Sequence, residues 1–207
     1  MMTSANHIIS IENTRILVFQ VIQSIDELYQ QLDYVDQEEF SKLVSDKRKR
    51  EYLGVRVALK NLLGVEKKIV YDADRKPRFS DHSYHISISH SADWIAVMAD
   101  STHPVGIDIE VPTAKIQKIY KRFLNEREQL ELSNGQNLNQ LLLAWSGKEA
   151  LYKIIGKEAV DFAKNLHIFP FEVAGEGSFD AEHSSTKQKY QLHYIQNETY
   201  TLVYCVV

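Results

Sequence analysis

The sequence predicts an α+β protein built as two similar halves. Three observations carry that prediction. Apolar residues recur with helical spacing in two long stretches, and they alternate with polar residues in several short ones. The order of these stretches then runs through the chain a second time. The 207 residues suffice for one large domain or two small ones. An apolar share of 44% and a charged share of 25% are ordinary for a globular chain.

The elements follow in order. "RILVFQVI" at 15–22 reads as a strand, and 25–34 as a short helix. A long helix is expected over 37–63, carrying Phe40, Leu43, Val44, Val55, Leu59 and Leu62, with Gly64 as its stop signal. Strands are expected near 67–72, at 84–90 ("YHISISH") and at 94–99 ("WIAVMA"). The pattern then restarts with a strand at 104–111 ("PVGIDIEV"), a helical region at 113–132 and a helix at 137–155 that ends at Gly156. Strands follow near 166–173, 188–196 and 199–206, while "AGEGSFDAEHSSTK" at 174–187 reads as an exposed loop. Each half thus runs strand, helix, helix, strand, strand, strand. The halves are 1–103 and 104–207, meeting at "STHP". Two such units are expected to pack about a pseudo-twofold axis, and a cleft between units is a favoured place for a ligand.

Composition excludes several classes. With 24 basic and 28 acidic residues the net charge is −4, unlike a dedicated nucleic-acid binder. One local basic run stands out, "DKRKREYLGVRVALK" at 46–60. A single cysteine, Cys205, rules out an internal disulfide or a CxxC zinc site. Apolar runs fall far short of the ~18 residues that span a bilayer. The N-terminal "MMTSANHIISIENTR" lacks the basic start and apolar core of a signal peptide. A cytoplasmic protein with no nucleic-acid or membrane partner is expected. Two halves in one chain make a monomer the default.

The helix "LLLAWSGKEALYKII" at 141–155 raises the chemical question. Leu138, Leu141, Leu142, Trp145 and Tyr152 form one stripe, and Glu149 falls near its centre. A carboxylate there needs a partner, because an unpaired buried charge is costly. Lys153, one turn on, is the plain candidate; a metal ion is the sharper one. In "VGIDIEV" at 105–111, Gly106, Asp108 and Glu110 share one face of a strand, the carboxylates about 7 Å apart. That is either the wet face of a half-buried strand or a pair of oxygen ligands for a hard cation such as Mg²⁺. Gly106 on that face lets a ligand or another backbone approach closely. Glu149 completes a three-oxygen site, and Lys148 and Lys153 flank it as contacts for phosphate oxygens. The alternative is a local Glu149–Lys153 pair worth only tenths of a kcal/mol. In "HISISHSADW" at 85–94, Ser89 and His90 stand either as a polar strand end or as a phosphate-binding corner. Lys76 precedes Pro77 in an extended or turn segment, and Arg56 lies on the long helix as a surface charge or a contact to a more distant phosphate.

"KP" at 76–77, "ISHS" at 88–91 followed by Trp94, "GIDIE" at 106–110, "RF" at 122–123 with Glu128, and "WSGKEALYK" at 145–153 occur in this order. Together they resemble the 4′-phosphopantetheinyl transferases, of the larger single-chain, surfactin-synthetase-activating type, over roughly residues 48–160. "GIDIE" followed some 35 residues later by "WxxKEAxxK" is the specific part. The resemblance implies a pseudo-dimer of two α+β halves with the site between them. It implies Mg²⁺-dependent transfer of the phosphopantetheine arm of coenzyme A to a serine of an acyl or peptidyl carrier protein, releasing adenosine 3′,5′-bisphosphate. It makes Asp108, Glu110 and Glu149 the Mg²⁺ ligands and Lys153 and His90 the pyrophosphate contacts. Lys76, Ser89 and Arg56 become contacts to the nucleotide end of coenzyme A. Glu149 or Glu128 becomes the acceptor of the serine proton, with Glu126 a competing match for Glu128. The sequence departs from the family in two places: Ser87 stands where some members have Asn before "ISHS", and Gly147 replaces a bulkier residue. Two other classes share these residues: a non-catalytic module that binds coenzyme A or a carrier, and a Mg²⁺-dependent phosphohydrolase that releases phosphopantetheine.

Overall fold

Alternating apolar residues and capped helices account for most of the elements. The structure, a computed structural model, describes residues 6–132 and 135–207. It is α+β and divides into two units, Met1–Thr102 and His103–Val207.

In the first unit, strands β1 (Asn6–Ile11) and β2 (Thr14–Gln20) form an antiparallel hairpin. After them come helices α1 (Ile25–Tyr29), α2 (Gln37–Ser41) and α3 (Asp46–Leu63), then strands β3 (Ile69–Tyr71), β4 (Pro77–Phe79), β5 (His85–Ser91) and β6 (Trp94–Asp100). The sheet order is β1-β2-β6-β5, all antiparallel, and β3 pairs with β4 alone. Helix α3 packs across β2 and β6. Leu53 and Val57 of α3 meet Leu17 and Phe19 of β2 and Ile95 and Val97 of β6 in the core of this unit.

The helix expected over 37–63 is two helices. Ser45 interrupts it, because its hydroxyl accepts from the backbone N–H of Arg48 at 3.3 Å and opens α3 as an N-cap. Val44, expected on an apolar face, is 96% exposed in the break. Gly64 ends α3 in the left-handed region at φ 73°, as its position predicts.

The second unit opens with β7 (Val105–Glu110), followed by α4 (Ile116–Phe123), α5 (Glu126–Glu131) and α6 (Leu138–Ile155). A 3₁₀ turn (Gly156–Ala159) and α7 (Phe162–Asn165) lead into β8 (Leu166–Ile168), β9 (Glu176–His183), β10 (Lys189–Gln196) and β11 (Thr201–Val206). The antiparallel sheet order is β7-β11-β10-β9-β8, and α6 packs on β7 and β11. Leu141, Leu142 and Leu151 of α6 meet Phe179, Leu192 and Val203 in the core. The stretch 174–187, expected as an exposed loop, contains β9. Phe179, Ala181 and His183 alternate into the core there, and Phe179 stacks on Phe171 at 4.5 Å.

Each unit sets its long helix across a strand pair formed by an early strand and its last strand: β2 with β6, and β7 with β11. In each, the last strand's other neighbour is the strand before it. Among the described residues no helix is long and apolar enough to cross a membrane.

Candidate active site of the second unit

Strand β7 is buried along nearly its whole length, including Asp108 at 5% exposure. Side chains alternate on a strand, so Gly106, Asp108 and Glu110 share a face. That face lies under α6. A Cβ on Gly106 would stand 2.1 Å from the Ala150 carbonyl oxygen and 2.8 Å from Ile154 Cγ1. The missing side chain therefore lets helix backbone, rather than a ligand, approach the strand.

Helix α6 presents Trp145, Glu149 and Lys153 at intervals of four residues, which is one stripe of the helix. At one end, Lys153 Nζ donates to Asp108 Oδ1 at 3.0 Å and to the Ile107 carbonyl at 2.6 Å. At the other, Trp145 Nε1 donates to Glu110 Oε1 at 3.2 Å. Glu149 stands between these two contacts. Its carboxyl is pushed up to about 7, first by burial and then by the charges of Asp108 and Glu110, against the opposing pull of Lys153. Lys153 thus bonds the strand carboxylate rather than the helix one. Beside Glu149 opens a cleft of about 760 Å³, lined by Arg122, Phe123, Trp145, Tyr152 and Phe162. Trp145 sits edge-on to Phe123 at 5.1 Å and tilted against Phe162 at 5.6 Å.

Lys148 and Glu128 are elsewhere. Both side chains are fully buried, with Lys148 Nζ 2.6 Å from Glu128 Oε1. The ammonium also donates to the carbonyls of Phe123 (2.7 Å), Leu166 (2.9 Å) and Phe162 (3.1 Å). Glu128 accepts from the backbone N–H groups of Asn125 and Ile168, both at 2.8 Å. Burial pulls Lys148 down to about 8 against the opposing charge of Glu128. Lys148, expected as a phosphate contact, and Glu128, expected to remove a proton, lie instead in the core, paired with each other. Every polar direction of both groups is already used, and neither reaches a surface.

The candidates of the first unit fall in three places. His90 on β5 has Nδ1 3.6 Å from Glu51 Oε1 on α3. Glu51 also faces Lys47 at 3.8 Å and Arg48 at 3.1 Å, and with Lys47, Arg50 and Asp93 it lines a small cleft near the β5–β6 turn. Ser89 is buried on the same strand. Lys76 is exposed on the β3–β4 turn, where Asp72 Oδ1 accepts from its N–H at 2.9 Å. Arg56 turns instead into a cavity of about 420 Å³ with Tyr52, Lys67 and Lys68. Its guanidinium lies 3.3 Å from the Tyr52 ring centre and 3.5 Å from Glu39. Sequence reasoning passed over Lys47 and Arg50 as candidates. The signal was the basic run at 46–60, but only the helix crossing shows which of its charges share a cleft with Glu51.

A family model described as the 4′-phosphopantetheinyl transferase superfamily matches residues 104–205, which contain β7, α6 and every contact between them. The second unit of the chain belongs to the 4′-phosphopantetheinyl transferase superfamily. Similar proteins agree with the match. The 4′-phosphopantetheinyl transferase gsp of Aneurinibacillus migulanus is 43% identical over 82 residues, 38% of this chain and 34% of that protein. A putative 4′-phosphopantetheinyl transferase of Haemophilus influenzae is 32% identical over 101 residues, 46% of this chain and 43% of that one. The 4′-phosphopantetheinyl transferase AcpT of Escherichia coli O157:H7 is 30% identical over 118 residues, 54% of this chain and 60% of that one. The chain therefore spans about a third to three-fifths of the length of these relatives.

The family uses Mg²⁺ and coenzyme A, so the fit of this superfamily unit to a divalent cation is a direct question. Its donors are all carboxylate oxygens, the set that suits Mg²⁺. The Glu149 carboxyl is raised first by burial and then by the charges of Asp108 and Glu110. The Lys153 ammonium on Asp108 supplies positive charge at the position a cation would take. Among the described residues, no three acidic, His or Cys side chains stand close enough as they are to grip one ion. The carboxylate chemistry fits a divalent cation, and the Lys153 ammonium on Asp108 already supplies positive charge to that carboxylate.

Proposed function

We propose that this chain transfers the 4′-phosphopantetheine arm of coenzyme A to a serine of an acyl or peptidyl carrier protein, in a Mg²⁺-dependent reaction. The observation that carries this reading is Asp108 and Glu110 on β7 facing the Trp145–Glu149–Lys153 stripe of α6, within the segment that matches the superfamily. In the reaction the serine oxygen bonds to the phosphorus that bears the pantetheine arm. The bridging P–O bond of the pyrophosphate breaks, and adenosine 3′,5′-bisphosphate leaves.

Asp108, Glu110 and Glu149 would hold the Mg²⁺. When bound, the ion withdraws charge from the pyrophosphate oxygens. Lys153, once off Asp108, places a fixed positive charge where negative charge grows on the leaving bisphosphate. Glu149, beside the open cleft, takes the serine proton directly or through water. Trp145 keeps Glu110 turned toward the site through its indole N–H. Of the first unit, His90 is assigned to the pyrophosphate and Lys76, Ser89 and Arg56 to the nucleotide end of coenzyme A, with Lys47 and Arg50 added beside Glu51, which faces His90.

The test is the intact mass of several purified apo-carriers after incubation with the protein, coenzyme A and Mg²⁺. A gain of one phosphopantetheine on any carrier supports transfer. Free phosphopantetheine with unmodified carriers points to a phosphohydrolase, and binding without either product points to a non-catalytic module.

A further inference from the structure

Lys148 and Glu128 sit one helix position and one core layer away from the candidate site, sealed from solvent. A buried ion pair is no economical way to stabilise a fold. Apolar residues of similar volume are often as good or better. The question is what this pair does that a leucine and a methionine would not.

The partners of the ammonium answer it. Lys148 Nζ has no donor left for a substrate, since it donates to Glu128 and three carbonyls. Two of those carbonyls belong to Phe123, the last residue of α4, and Phe162, the first residue of α7. The rings of these same two residues flank Trp145 and line the cleft beside Glu149. The third carbonyl, of Leu166, begins β8. Glu128 closes the arrangement by taking the N–H of Ile168 on β8 and of Asn125 at the start of α5. Asn125 in turn caps α5 by accepting from the Glu128 N–H at 2.9 Å. One charge pair thus pins α4, α5, α7 and β8 to α6 at the level of Glu149. Apolar side chains would fill the space without fixing the direction of any carbonyl or N–H.

We infer that Lys148 and Glu128 are positioning residues, which touch no substrate and act by holding the Phe123 and Phe162 walls of the cleft in place around Trp145 and Glu149. This rests on the transferase reading for its activity assay, though not for its geometry. The rival is direct chemistry, with Glu128 accepting the serine proton or Lys148 holding phosphate.

The full chain is prepared as Lys148→Met, Glu128→Leu and the double variant carrying both. Each single variant leaves one buried charge unpaired, so each unfolds at lower urea than wild type and exposes Trp145 to acrylamide quenching in a Trp94→Phe background. The double variant removes both charges. It is expected to recover part of the urea midpoint, while Trp145 stays more open to quenching than in wild type, because three carbonyls and two N–H groups have lost the partner that fixed them. Its kcat/KM for carrier modification returns to within about a hundredfold of wild type, with the remaining loss weighted toward a higher KM for the carrier. Loss of a true proton acceptor or phosphate contact costs about 10²–10⁴-fold and is not repaired by a second substitution. A double variant that folds but stays further below wild type than a hundredfold overturns the inference. If the double variant does not fold, Glu128→Gln decides: a pH–rate profile of unchanged shape supports positioning, and loss of its acidic limb overturns it. Should wild type modify no carrier, the transferase reading fails, and the pair is judged on quenching. Single and double variants that all expose Trp145 support the inference; a double variant quenched no more than wild type overturns it.

Discussion

Glu149 is expected to weaken the fold at neutral pH, and replacing it is expected to strengthen the protein. Its carboxyl is raised from 4.5 to about 7 by burial first, and by Asp108 and Glu110 next. A raised acid holds its proton in the folded state at pH values where the unfolded chain has released it. Stability therefore falls as pH climbs from 4.5 toward 7, and the full penalty stands above 7. At about 1.36 kcal/mol per pH unit, that interval comes to about 3 kcal/mol. Glutamine copies the shape and neutrality of the protonated acid. Glu149→Gln should thus leave stability at pH 4.5 unchanged and raise it by about 2–3 kcal/mol at pH 8. Urea unfolding at both pH values, in EDTA, measures this directly. Adding Mg²⁺ at pH 8 should then stabilise wild type and not the variant, because the ionised carboxylate is what a cation relieves. A variant that gains nothing at pH 8, or gains equally at both pH values, refutes the crowding of three carboxylates on which the site is built.

Two further perturbations follow from the β7–α6 contact. Gly106→Ala forces a Cβ to within 2.1 Å of the Ala150 carbonyl oxygen, so helix and strand must part. A loss of about 1–3 kcal/mol in urea unfolding is expected, with carrier modification down about 10²-fold. Gly147→Ala is the milder control, because its closest neighbour is the Phe179 ring at 2.9 Å and helix propensity returns up to about 1 kcal/mol; equal losses in the two variants would count against the strand–helix contact as the sensitive one. Lys153→Met removes the ammonium that occupies Asp108. Mn²⁺ affinity at pH 8, read from the paramagnetic signal of the free ion, is expected to rise about fivefold, the equivalent of about 1 kcal/mol for a partly exposed pair. Unchanged or weaker binding argues that the ammonium does not stand in the cation's place.

The sequence showed the parts of this site that local periodicity controls. Alternation alone put Gly106, Asp108 and Glu110 on one face, and a spacing of four put Trp145, Glu149 and Lys153 on one stripe. It could not say that the stripe lies over that face, because the contact is set by Gly106 meeting Ala150 more than forty residues away. The helix break at Ser45 was hidden by Leu43 and Val44, whose apolar character continues a helical pattern through an N-cap that only the Arg48 N–H reveals. Strand β9 was hidden differently. Its Phe179, Ala181 and His183 alternate correctly, but Gly, Ser, Asp and Glu around them have low strand propensity, and tertiary packing against Phe171 outweighs it. The burial of Lys148 was hidden for a related reason. Position on a helical wheel told that it flanks Glu149, and only the fold tells that its flank faces a core holding a second carboxylate.

These two lysines show why a short run on one helix serves two ends. On a helix of about 3.6 residues per turn, Trp145, Glu149 and Lys153 drift by only about 40° per step, while Lys148 stands about 100° from Glu149. The stripe meets β7, where carboxylates crowd and charge is left in deficit. The neighbouring face meets α4, α5, α7 and β8, where a single ammonium is saturated by one carboxylate and three carbonyls. Strain is thus placed on the first face and order on the second, with the backbone of α6 as the only material between them. The contacts on the second face fix the rotation of α6, and that rotation sets Glu149 beside Asp108 and Glu110, whose charges add to burial in raising its carboxyl.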